Sequence, residues 1–386
     1  MLRIFVILIF LLSLQLASGQ ADFNFSKIDK HALKSPRSIE TNLSDLVNYL
    51  SKSSYNDIEK VRSFYVWLVN NIDYDNAAIT PNSKRINHTN QDVLNRKKAV
   101  CQGYSNLFKE MCNRSGIPCE VITGYPKTPR NATPDLEKAN HTWNAVLLNE
   151  QWYLLDITWG ASNEKQFVED YFLAAPENFV IDHLPNDPMW QLLDCPISTH
   201  IFMQKHDVIL THIRNENKCF NFRDSINQLM ALPTPERKLK SAKNAYKFNP
   251  VQENKKYLGS MYIDKINYLS DLSYELEVLD SFEAVMNIQL EIFDLYDKSM
   301  ECLDLYDHQK ENLAYTHFNY AVALSRLLSE ESKDTEIIET YKLMLHHFKK
   351  GRTILKEVPS NILSENATKQ FDDYIEFIQA ELKSHQ

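Results

Sequence analysis

The 386 residues predict an α+β fold: helices and an antiparallel sheet in the first half, then an all-α helical array. Three observations carry this. All five Trp (67, 143, 152, 159 and 190) precede residue 195. Gly103, Gly116, Gly124 and Gly160 crowd one stretch, where apolar runs bounded by turn residues read as strands. Beyond about residue 200 the chain turns to Leu, Glu, Lys, Tyr and Asp at helical spacing. These shifts divide it into residues 1–19, 20–198 and 199–386, with Pro188 and Pro196 marking irregular chain near the second boundary.

Residues 1–19 read as an export signal. Arg3 gives the positive start, Ile4 to Leu16 the apolar run, and Ala17-Ser18-Gly19 the cleavage site. The run is shorter than the ~20 residues that span a bilayer, so a secreted or periplasmic protein without a membrane span is expected. Helices are expected over Asn42–Leu50 and Asp57–Ile72. Ile58, Val61, Tyr65, Leu68 and Ile72 share one face of the second, and Asn56 and Glu59 have capping-box spacing. A third helix runs from Gln102 to Ser115, with Tyr104, Leu107, Phe108, Met111 and Cys112 on its apolar face. Gly116 stops it and Pro118 follows. Strands are expected over Cys119–Tyr125, His141–Leu148 and Trp152–Ile157, with a polar loop from Pro126 to Asn140.

In the second half, helices are expected over Pro235–Phe248, Gln252–Leu269, Asp271–Asp307, Gln309–Leu328, Thr335–Leu355 and Asn366–Ser384. Phe318 to Leu324 has the small-residue look of helical hairpin repeats, without a clean period of about 34 residues. An irregular array offering a face to a protein partner is expected.

The net charge of −9 gives no basic footprint, which argues against nucleic acid. The six Cys (101, 112, 119, 195, 219 and 302) match no zinc-module spacing, so no structural metal is expected, and nothing in the sequence supports a calcium site or an organic cofactor. If Cys101 stays free, five remain, and complete pairing within the chain is impossible.

Cys101 sits at the start of the third helix. The partial positive charge and free N–H groups there stabilise a thiolate and can hold an oxyanion. His141 opens the second strand. Asp156 lies in the apolar run Trp152-Tyr153-Leu154-Leu155-Asp156-Ile157-Thr158-Trp159, where an unpaired carboxylate is costly to bury. A two-residue loop at Asn149-Glu150 would set Leu148 opposite Gln151 and His141 opposite Thr158. Asp156 is then a diagonal neighbour of His141 on the same face. The competing readings are an inert buried cysteine, a structural histidine, and an aspartate bonded to backbone or Thr158.

At these residues the chain resembles the kyphoscoliosis-peptidase-like branch of the transglutaminase-like superfamily, which has a papain-type fold. The segments that carry the resemblance are Ala99 to Ser105, Met111 to Cys119, Ile122 to Tyr125, His141 to Val146 and Trp152 to Gly160. It covers about residues 45 to 195. The resemblance implies Cys101 as nucleophile, His141 as general base and acid, and Asp156 as its orienter. Oxyanion donors would be backbone N–H at the helix start, such as that of Gln102, with Tyr74 as a second candidate. Ala99 stands where the family often has Gly, and Asn149-Glu150 where it often has Asp-Gly. The expected function is an exported thiol hydrolase cleaving peptide or amide bonds through an acyl-thioester. The alternatives are a cross-linking transglutaminase and a catalytically inactive scaffold with a partner-binding helical tail. Lys127, Arg130 and Lys138, partly offset by Asp135 and Glu137, would repel a protonated amine, so water is the expected acceptor.

Overall fold

The computed structural model describes residues 24–80, 89–128, 133–161, 168–279, 281–329, 331–359 and 366–385. The export signal read over residues 1–19, and Arg130, lie outside them. Helices α1 (Ser26–Ala32), α2 (Leu43–Ser51) and α3 (Asp57–Asn71) open the fold. Asn42 caps α2 through its Oδ1, which accepts from the Ser44 and Asp45 N–H groups. Asn56 caps α3, accepting from the Glu59 N–H at 2.9 Å. Glu59 completes the box one residue early, accepting from the Tyr55 N–H at 2.6 Å. On α3, buried Arg62 forks onto Asp29 of α1 (2.8 Å twice) and onto Glu169 (2.6 Å twice). One cation thus ties the first helix to a segment between the last two strands of the sheet.

Strand β1 (Asp73–Tyr74), helix α4 (Asn90–Arg96) and strand β2 (Lys98–Ala99) lead into α5 (Cys101–Arg114). β1 and β2 pair in parallel, with Tyr74 beside Ala99. The pair is too short to show an alternating pattern in sequence. α5 buries the predicted face of Tyr104, Leu107, Phe108, Met111 and Cys112. These residues meet Leu46, Phe64, Trp67 and Leu68 in one core. Gly116, at φ +73°, takes the left-handed turn that ends the helix.

The sheet holds β3 (Cys119–Pro126), β4 (His141–Leu148), β5 (Gln151–Leu155) and, after helices α6 (Ile157–Gly160) and α7 (Pro176–Phe179), β6 (His183–Pro185). Their order is β5-β4-β3-β6, and the neighbours are antiparallel. Leu148 pairs with Gln151, as the two-residue loop requires. Asn149 and Glu150 both have positive φ, the geometry of a type I′ turn. The third strand is shorter than its apolar run suggested. It ends at Leu155, and Asp156 caps α6 by accepting from the Thr158 and Trp159 N–H groups. A capping aspartate ends the ladder here, so Thr158 is helical and does not face His141.

Helices α8 (Thr199–Phe202), α9 (His206–Asn215) and α10 (Phe222–Met230) come next; all three lie where no helix was expected. They pack on the sheet. Phe202 and Ile209 share a cluster with Tyr125 and Leu184. Phe222, Ile226 and Leu229 join Ile122, Trp143 and Trp190. A disulfide links Cys195 to Cys219 across this stretch. A division at residues 198/199 therefore does not separate two cores.

The array itself is α11 (Thr234–Phe248), α12 (Gln252–Val278), α13 (Phe282–Met300), α14 (Asp307–Ser325), α15 (Asp334–Leu355) and α16 (Ala367–Ser384). The helix expected over Asp271–Asp307 is instead the end of α12, a turn, and α13. Folding back lets Leu258, Tyr262, Ile266 and Leu269 meet Ile292, Leu295 and Tyr296, which one straight helix would hold apart. The array is joined to the sheet by polar contacts. The Tyr125 hydroxyl, at the end of β3, bonds Asn186 (2.9 Å) and takes donors from Asn249 and Asn254 (3.0 Å each). Buried Asp187 accepts from Ser241 (2.8 Å) and Asn244 (3.1 Å). Among the described residues no helix is long and apolar enough to cross a membrane.

Candidate active site

Cys101 is the first residue of α5. Its N-cap, Val100, is extended and supplies no capping side chain. The Gly103 and Tyr104 N–H groups both turn back to the Val100 carbonyl. The Cys101 and Gln102 N–H groups, in the first turn, have no intrahelical acceptor and are free to serve a ligand. The Gln102 side chain points elsewhere, donating to Asn106 Oδ1 at 2.9 Å. Helix and strand are fixed to each other: Ser105 Oγ donates to Thr142 Oγ1 at 3.4 Å, and Asn144 Nδ2 donates to the Ser105 carbonyl at 3.1 Å.

This packing brings Cys101, His141 and Asp156 together. His141 is buried at the start of β4, and its Nε2 lies 2.6 Å from Asp156 Oδ2. That contact leaves Nδ1 for Cys101. Burial alone would lower the His141 pKa. The charge and hydrogen bond of Asp156 and the Cys101 thiolate overcome burial and raise it to about 10. Burial likewise opposes ionisation of Cys101, yet hydrogen bonds from His141 and Thr142 hold its thiol below the ordinary value. Asp156 is wholly buried, which would favour its neutral form, but His141 and His183 keep it ionised well below the usual carboxylate range. The electrostatics are those of a thiolate–imidazolium pair backed by a carboxylate. Elsewhere burial pushes the Cys112 and Cys302 thiols up.

Tyr74 reaches the same place by a route the sequence hides. Parallel pairing sets it beside Ala99, two residues before Cys101. Burial and the negative Cys101 push its hydroxyl up to about 12, so it remains an O–H donor.

Sequence reasoning missed His183. This imidazole is fully buried on β6, with Nε2 3.0 Å from Asp156 Oδ2 and Nδ1 2.5 Å from Asp182 Oδ1. An aromatic wall surrounds both histidines. Trp159 lies 5.3 Å from the His141 ring and 4.3 Å from that of His183, and Trp143 lies 5.9 Å and 5.0 Å away. Among the described residues, His141, Asp156 and His183 form the one group whose ligand atoms converge as a metal site would need. Those atoms are already bonded to one another, so a cation would first have to displace the imidazole protons.

Lys127 lies next to the Asp182 end of this network, its N–H donating to the Asp182 carbonyl at 2.9 Å. Its Nζ is held by the Phe202 and Gln204 carbonyls, at 3.0 and 2.5 Å.

Gly160 closes α6 against Tyr65. A Cβ there would lie 1.8 Å from Tyr65 Oη, on a ring that is fully buried and bonded to the Val168 carbonyl at 3.0 Å. We expect Gly160→Ala to cost about 1–3 kcal/mol, the usual range for overpacking, and to displace the turn that Asp156 caps. Urea denaturation checks the first effect and thiol labelling of Cys101 the second.

Residues 44–157 match the family model described as the transglutaminase-like superfamily, a range that holds all three convergent residues. Kyphoscoliosis peptidase of Homo sapiens is 34% identical over 191 residues, 46% of this chain and 28% of that protein. The Mus musculus protein of that name is 33% identical over the same shares. A Lim and transglutaminase domain protein of Caenorhabditis elegans is 30% identical over 196 residues, 45% of this chain and 26% of that protein. The chain thus spans under a third of the length of these relatives.

Proposed function

With residues 44–157 forming a transglutaminase-like domain, we propose that this chain is an exported thiol hydrolase that cleaves peptide or amide bonds. One observation carries the reading: His141 is hydrogen-bonded to the Cys101 thiol on one side and lies 2.6 Å from buried Asp156 Oδ2 on the other. The Cys101 thiolate attacks the amide carbonyl and forms a C–S bond. The Cys101 and Gln102 N–H groups, with the Tyr74 hydroxyl, hold the oxyanion. His141 gives its proton to the leaving nitrogen, and the C–N bond breaks. His141 then takes a proton from water, which attacks the thioester; the acid departs and the thiolate returns. Export is supported by the Cys195–Cys219 disulfide, a bond that persists in oxidising compartments. The array is read as a partner surface, where Tyr274, Val278 and Leu279 are exposed near the end of α12.

The acceptor is tested with glutamine-containing peptides and a labelled primary amine. We expect released acid to exceed incorporated amine, and Cys101→Ala to abolish both. Excess incorporation would make the protein a cross-linking enzyme.

A further inference from the structure

We propose that His183 is a positioning residue for the Cys101–His141 pair, acting through Asp156. The inference rests on reading that pair as nucleophile and base. Asp156 Oδ2 receives two imidazoles, His141 Nε2 at 2.6 Å and His183 Nε2 at 3.0 Å. An ionised carboxylate oxygen only accepts, so both Nε2 atoms carry protons. With its proton fixed on Nε2, His141 presents Nδ1 to the thiol. Asp156 Oδ1 is pinned separately by the Thr158 N–H at 2.7 Å and the Trp159 N–H at 3.2 Å. Those two bonds leave the carboxylate free to twist about its pinned oxygen. His183 restricts that freedom by holding Oδ2 as a second donor beside His141.

His183 is itself immobilised. Its Nδ1 rests on Asp182 Oδ1 at 2.5 Å, and Asp182 Oδ2 takes the Tyr171 hydroxyl at 3.0 Å. Its ring stacks on Phe179 at 4.2 Å and lies against Trp159 at 4.3 Å. The titratable groups that face this assembly are His141 and, beyond it, Cys101; Asp156; Asp182, with the Lys127 cation beside it; Tyr171; and Tyr65 and Tyr74, which feel the charge of Asp156. Three carboxylate–imidazole contacts therefore run in line from Asp182 to the base. The last donor before the catalytic carboxylate is a side chain that no part of the acyl-transfer cycle consumes.

The test is the pH profile of Cys101 alkylation in the full chain, for wild type, His183→Phe and His183→Gln. Phe fills the ring space without a donor; Gln restores a donor toward Asp156. We expect His183→Phe to fold, as judged by its thermal transition, while its labelling midpoint moves up toward that of an ordinary thiol, about 8.5. That shift means roughly tenfold slower labelling at about pH 6. His183→Gln should recover most of the loss. A folded His183→Phe whose profile superimposes on wild type overturns the inference, as does a folded His183→Gln no better than Phe. If His183→Phe does not fold, Asp182→Asn loosens the same anchor from a partly exposed position and should give a smaller upward shift; no shift there also counts against it. A wild-type Cys101 that titrates as an ordinary thiol would instead defeat the hydrolase reading itself, so the two failures are distinguishable.

Discussion

Asp156→Ala is expected to lower turnover by about 10⁴-fold, the loss seen when a histidine base is deprived of its orienting carboxylate. Stability should fall as well. The carboxylate is wholly buried and makes four bonds: two to the first turn of α6 and two to buried imidazoles. Losing the cap alone costs about 1 kcal/mol. Removing one partner of a buried, charged cluster costs about 3–5 kcal/mol. Asp156→Asn separates the two effects. It keeps the cap oxygen and the volume, yet its amide cannot serve two Nε2 donors as an ionised oxygen does. The Asn variant should therefore keep more stability than Ala and lose nearly as much turnover. Denaturation midpoints and kcat on a cleaved peptide report the two. Wild-type turnover by Asp156→Ala would remove Asp156 from the mechanism.

The second large effect is expected in thiol reactivity. In the wild type, the thiolate–imidazolium pair forms as pH rises through the lowered Cys101 value, and it lasts until His141 loses its proton near about 10. His141→Ala removes the cation, and burial, which raises the thiol, is left without its main opposing influence. Alkylation of Cys101 at about pH 6 should slow by at least tenfold. Undiminished labelling would show that the helix start alone activates the cysteine. The same shifts set the pH range of stability. His141, raised above an unfolded value of about 6.5, contributes fully below that value and loses its contribution as pH rises through about 10. Asp156, depressed, contributes above an unfolded value of about 3.9 and loses its contribution as pH falls below it. Stability should therefore decline at both extremes, and Asp156→Asn should flatten both limbs.

Much of this site was legible because its determinants are local. The apolar face of α5 follows helical spacing, and the hairpin register follows from a loop of two residues whose length leaves one pairing. What was misread turns on competition between local structures. The run from Trp152 to Ile157 looks like strand throughout, but the Asp156 side chain captures two N–H groups and starts a helical turn. Asp156 thus reaches His141 from a helix cap and not across a ladder. What was invisible is non-local. β6 has three residues, too few for a periodic signal, and His183 meets Asp156 across 27 positions. Tyr74 enters through a two-residue parallel pairing that no pattern announces. In the array, helical composition runs on past Val278, and only the need of α12 and α13 to cover each other reveals the turn.

The Tyr125 hydroxyl makes the sheet depend on the array. Its two donors, Asn249 and Asn254, come from the array, while its neighbour Gly124 is the register partner of His141. The array thus covers a buried phenol on the strand that pairs with that of His141, along with the Asp187 carboxylate that Ser241 and Asn244 satisfy. Removing one of these donors while its acceptor stays buried costs about 1–3 kcal/mol, and the cost falls on the sheet that carries His141. The two halves are therefore coupled: a substitution at Asn249 is felt at the sheet, more than 100 residues earlier in the chain.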